Sequence, residues 1–173
     1  MPSRHFSTIP TLYCWVDLLD PSSEYGRTSI FSLLPSSGVC AWIRDEAMVG
    51  WGKAWSWKRG KDRPPLVEAG ENAAITEAAR VWDLLREKAQ VHWGEGARVA
   101  WGKSLPTLPF AFVSCAFEDD GERTLIVPEL TVITSGSQRF VIADSTDSHV
   151  KPEFAPPTRQ HTLPSHVEQC PGA

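Results

Sequence analysis

The sequence predicts an α+β fold: a mainly antiparallel sheet with one main packed helix. Three stretches predict it. Leu108–Leu130 holds two short apolar runs, Phe110–Phe117 and Leu125–Val127, joined by the polar segment Glu118-Asp119-Asp120-Gly121, which reads as a β-hairpin. Leu130–Thr134 and Arg139–Ala143, separated by Ser135-Gly136-Ser137-Gln138, form a second hairpin of strand-type residues. Between Glu71 and Gln90, apolar residues recur every three and four positions, the period of an amphipathic helix.

In chain order, Leu12–Leu19 is expected to form a short strand or a turn of helix, closed by the turn Asp20-Pro21-Ser22-Ser23. Ser29–Leu34 reads as a strand that stops at Pro35. Val39–Ile43 and Ala47–Gly52 read as a strand, turn and return strand, with Ala54–Trp57 continuing the return. Glycines on both sides of Trp51 mark a bulge or a close backbone approach. Gly50-Trp51-Gly52 is not expected to cradle phosphate: the third glycine, the helix and the Lys-Ser/Thr pair of such loops are missing. Lys58–Pro65 is a basic, Pro-containing loop that reads as a solvated connection.

The helix of Glu71–Gln90 is expected to bury Ile75, Ala78, Ala79, Trp82, Leu85 and Ala89, to lie on the sheet through Trp82, and to be capped by Asn72 or Glu71. His92–Pro106 reads as loop, with a short strand at Arg98–Trp101. The run Phe110–Phe117 is apolar on both alternating faces, which predicts a strand covered on both sides; Val39–Ile43 and Leu125–Val127 carry the same expectation. After Ala143, Ser, Thr, Asp and Pro dominate and periodicity stops. The expected organisation is therefore a half-domain over 1–144 and a disordered tail or linker over 145–173.

Composition excludes several function classes. The 173 residues are 42% hydrophobic and 22% charged, with net charge −4, so no global field attracts nucleic acid or an anionic membrane. No stretch has transmembrane length and the first residues lack the apolar core of a signal peptide. Four cysteines (Cys14, Cys40, Cys115, Cys170) show no C-x-x-C spacing; Cys40 and Cys115 read as buried thiols, and the set fits a cytoplasmic protein. The eight tryptophans, five of them between Trp15 and Trp57, imply a heavy core or an extensive interface.

No constellation of catalytic residues emerges. Glu118, Asp119 and Asp120 have the oxygens a hard cation needs, but three acids at a hairpin tip read as a solvated turn. His161, His166 and Cys170 are zinc-type donors in a Pro-rich tail with no rigid frame. His92 has no assignable acid or nucleophile. No catalytic, cofactor-binding or metal residue is assigned.

Four segments occur in a telling order: Met48–Ala54, Ala79–Leu85, Pro109–Asp119 and Leu125–Leu130. Together, across residues 30–142, they resemble the N-terminal part of actinobacterial-type isochorismate synthases, members of the chorismate-utilising enzyme family. The resemblance implies half of a large α/β unit whose antiparallel sheets stack face to face with helices outside. It implies the interconversion of chorismate and isochorismate, in menaquinone or siderophore synthesis, by a lysine, a glutamate and Mg²⁺ held by glutamates. The family's lysine stands in a strand motif of the type K-V-V-L-A-R beyond these strands. Lys53 and Lys103 do not match it, so no role is carried over. The expectation is a segment that lacks the catalytic half, binds no cofactor of its own, is inactive alone, and partners a separate catalytic half or self-associates through an apolar face. The alternative expectation is a non-catalytic interaction module with a Trp-rich apolar surface.

Overall fold

A computed structural model describes residues 9–35, 37–43, 46–59, 73–102, 105–115 and 123–154. Among the described residues, nine strands form two sheets. The larger has six strands in the order β2 (Val39–Ile43), β3 (Ala47–Trp51), β8 (Leu130–Ser135), β9 (Gln138–Ser145), β1 (Tyr13–Leu18) and β5 (Gln90–Trp93). The smaller has the order β4 (Trp55–Arg59), β7 (Arg123–Val127), β6 (Phe112–Cys115). β1 and β5 run parallel; the other described pairings are antiparallel. The fold is α+β and strand-rich with mainly antiparallel sheets, as the hairpin patterns predict.

Both expected hairpins form. β6 pairs with β7, Phe112 opposite Ile126, and β8 pairs with β9 through a two-residue turn between Ser135 and Gln138. Gly136 takes φ +57° there, the positive value a glycine-first hairpin turn demands. The strands β3 and β8 bend together into β4 and β7, so one long ladder serves both sheets. Pro128 and Glu129 press against β3 at the bend: a Cβ on Gly50 would stand 2.6 Å from Pro128 Cγ, and one on Gly52 2.8 Å from Glu129 Cβ. The close approach expected around Trp51 is therefore real, and the ladder resumes with Glu129 N–H donating to Trp51 O (3.1 Å) and Ala54 N–H to Val127 O (3.0 Å).

The six-stranded sheet is covered on both faces. On one, the 3₁₀ turn Ile30–Leu33 and Phe154 pack against Val49, Leu130, Val132, Val141 and Ala143. The short helix α1 (Glu24–Arg27) precedes that turn, and Arg139 holds it down: its Nη1 donates to Tyr25 O (2.5 Å) and Thr28 O (2.6 Å). On the other face, Leu105, the short helix α3 (Ala97–Ala100) and Trp101 cover Val16, Ile133, Phe140 and Ile142. The long helix α2 (Ala73–Lys88) lies across β7, burying Ala78, Val81 and Leu85 against Leu125, Val127, Leu12 and Cys14, with Trp82 in the same contact.

Several local expectations are corrected. Ser29–Leu34 is not a strand: Ile30 and Leu33, three residues apart, align on one side of a 3₁₀ turn, and both are buried. Arg98–Trp101 is not a strand either, because α3 buries only Ala97 and leaves Val99 93% exposed. His92 belongs to β5, not to a loop. On α2 the buried stripe runs through Val81, while Ala79 faces solvent. Two of the three strands expected to be covered on both faces are not: β6 and β2 are sheet edges, with Val113 57%, Trp42 55% and Ile43 53% exposed. Cys40 is half-buried, and Cys14 is the fully buried thiol. The expected caps Glu71 and Asn72, all of Gly60–Pro65, the side chains of Ile75 and Cys115, and the acidic turn 118–120 lie outside the described residues.

The boundary expected at Asp144 also moves. β9 continues to Ser145, and the chain then returns over the sheet with Pro152 buried. Phe154 meets Tyr25 edge-on (5.4 Å) and Trp51 (6.2 Å), and Lys151 Nζ reaches Asp17 Oδ2 (2.5 Å). Burying one Phe is worth roughly 1.5–3 kcal/mol. A chain ending at Asp144 should therefore melt several degrees below the full chain, whereas one ending at Phe154 should match it; differential scanning calorimetry separates the two. Equal melting of the chain ending at Asp144 would show that 145–154 contributes nothing.

Candidate functional site

The residues singled out in the sequence do not converge. His92, exposed on β5, stacks on Trp15 (5.6 Å between ring centroids) and Tyr13 (6.4 Å), a flat aromatic ladder on the outer strands of the sheet. Gly50-Trp51-Gly52 is followed by β4 and not by a helix, so its backbone makes no phosphate loop. Arg59 of the basic segment pairs with Glu77 of α2 at 2.7 Å, joining β4 to the helix. Lys53 is exposed at the bend. Lys103, Glu118, Asp119, Asp120, His161, His166 and Cys170 lie outside the described residues. Among the described residues no three His, Cys, Asp or Glu side chains gather as a metal site.

Two other features carry chemistry. The first is a buried polar cluster on the face of the large sheet that also carries Val16 and Ile142. Cys14 of β1 stands opposite Asp144 of β9, and both are buried. Asp144 is 4% exposed, and burial pushes its carboxyl up to about 7, an effect the Cys14 hydrogen bond only partly offsets. Burial raises the Cys14 thiol far above its usual range, and the Asp144 charge and hydrogen bond add to the rise. A thiol so placed is inert as a nucleophile. Thr131 of β8, fully buried, points from the same face and lies opposite Gly50 and Ile142 in register. Among the described residues, Asp144 Oδ1 and Thr131 Oγ1 have no hydrogen-bond partner.

Sequence reasoning missed this cluster by assigning Asp144 to the end of the body. The signal was present: Phe140, Ile142 and Asp144 alternate, and period two carries Asp144 to the inner face.

The second feature is the edge strand β2. Val39-Cys40-Ala41-Trp42-Ile43 contains no charge and no proline, the devices that usually keep an edge from pairing. Its two largest side chains at the C-terminal end are more than half exposed. It is the outer strand of the six-stranded sheet, next to β3, whose Val49 packs in an apolar cluster.

What the fold and these features define is a strand-rich α+β framework with an uncharged open edge. No family model, no curated protein and no solved structure matches the chain.

Proposed function

We propose that this chain is an isochorismate synthase-like N-terminal segment: a framework that a lysine-bearing catalytic half completes, working in the cytoplasm on the chorismate-to-isochorismate reaction of menaquinone or siderophore synthesis. The observation that carries the proposal is the β2 edge. An apolar, uncharged strand with Trp42 and Ile43 exposed is suited to continuing its sheet into another segment. The mainly antiparallel architecture supports the same reading. Segments 48–54 and 125–130, on which the resemblance rests, meet at the bend where β3 and β8 leave one sheet for the other. The Mg²⁺ of the family finds no donor set among the described residues, and no step of the reaction is derived through it.

The competing reading, an interaction module with a Trp-rich surface, is weakened by burial. Seven of the eight tryptophans are half-buried in the packed body, and Trp42 alone is mainly exposed.

The test mixes the purified chain with a separately produced lysine-bearing half of an actinobacterial isochorismate synthase. The chain alone should yield no isochorismate above a no-protein control, with or without Mg²⁺. The two halves should co-elute in size-exclusion chromatography, and Trp42→Lys with Ile43→Lys should abolish co-elution while leaving the melting temperature in place. Turnover by the chain alone, or halves that never associate, overturns the proposal.

A further inference from the structure

We infer that Asp144, Thr131 and Cys14 enclose a site for one internal water at the seam between the two sheets. The inference does not depend on the proposed function. Buried polar atoms in folded proteins are nearly always hydrogen-bonded, to protein or to ordered water. Here two side-chain oxygens without a partner, Asp144 Oδ1 and Thr131 Oγ1, lie on the same face of neighbouring strands. The coincidence of two such atoms is what points to a shared occupant.

Register sets the spacing. Thr131 is opposite Ile142, so Asp144, two residues further along β9, is its diagonal neighbour. Diagonal pairs have Cβ atoms up to about 7 Å apart; the two side chains cover part of that gap, and two hydrogen bonds of about 2.8 Å in series through one water cover the rest. The donors and acceptors also match. Asp144 Oδ1, with no protein partner, can accept from a water, while the Thr131 hydroxyl both donates and accepts. The seam is where an interruption in backbone pairing is expected: β7 gives way to β8 at Pro128-Glu129, and Asp144 N–H already turns to Glu129 O (2.8 Å). A larger ligand does not fit this description, because Pro128 closes the side of Thr131 that faces Gly50.

The sign of one substitution tests it. Thr131→Val keeps the shape and removes the hydroxyl. If a water bridges the two oxygens, the substitution strands it and lowers the melting temperature by several degrees, whereas Thr131→Ser stays close to the parent. If the hydroxyl has no occupant to bind, removing it relieves a buried unpaired group and the melting temperature rises. A second readout keeps the matter decidable should Thr131→Val fail to fold. In the parent protein, NMR cross-relaxation between a long-lived water and the amides of Thr131 and Asp144 should appear. A rise in melting temperature for Thr131→Val, or no long-lived water at these amides, overturns the inference.

Discussion

Phe140→Ala should lower stability by about 3–5 kcal/mol, the range for emptying a well-packed aromatic site. Phe140 is fully buried in the middle of the large sheet, among Val16, Ile133 and Ile142, with Ala97 and Leu105 above it. Trp101 meets its ring edge-on at 5.0 Å and is itself tied back by Nε1 donating to Pro106 O (3.3 Å). The strands beneath are held in their ladders, so they cannot collapse to fill the gap. A loss of that size is a large share of the roughly 5–15 kcal/mol that holds a domain together. The measurement is urea unfolding followed by tryptophan fluorescence, with Phe140→Leu as the milder partner. A fall in midpoint at constant slope is expected. A loss below about 1 kcal/mol would mean that the segment from α3 to Phe110 does not cover this face.

The Asp144 carboxyl should make the protein less stable as pH rises from about 4 to 7. Its ordinary value is 3.8, and in the folded protein burial lifts it to about 7. Between those values the folded state holds a proton that the unfolded state has released, so stability falls with increasing pH across this window. Below it both states are protonated and the penalty vanishes; above it both are ionised and the penalty is constant. The size is at most roughly 4 kcal/mol, from the rise in proton affinity. A water donating to Oδ1 reduces the size without changing the sign. The neutral amide of Asp144→Asn should flatten this slope and should stabilise the protein at pH 8 more than at pH 4. Chemical unfolding at a series of pH values decides it, and parallel curves for parent and variant would show that Asp144 is ionised at little cost. Cys14 adds no slope of its own here, since burial and the Asp144 charge hold its thiol protonated throughout.

Local order was legible because local order is what period and turn chemistry encode. The hairpin of β8 and β9 follows from two strand-type runs around Gly136, and α2 follows from its three- and four-residue spacing. The glycines around Trp51 announced a close approach, and Pro128 and Glu129 supply it. These features depend on neighbours a few residues away or on the absence of a Cβ.

The candidate site was not legible in this way. Asp144 looked like the last residue of the body, ahead of a polar tail; it is buried because β1 pairs alongside β9 and sets Cys14 against it. That pairing joins residues about 130 positions apart, and no local pattern reports it. The same holds for edges. The run Phe110–Phe117 reads as an inner strand by its apolar content, yet among the described residues β6 pairs with β7 alone, and Val113 is left in solvent.

By itself, then, the sequence determined the α+β class, the two hairpins, the helix and the close backbone approach around Trp51, each through short-range sterics or an amphipathic period. Only the tertiary structure decided the strand order, the placement of β1 between β9 and β5, the open β2 edge and the burial of Asp144. The physical reason is that a strand's pattern shows which side chains face inward. Which strand lies beside it, and what covers it, depends on the docking of segments far away in the chain.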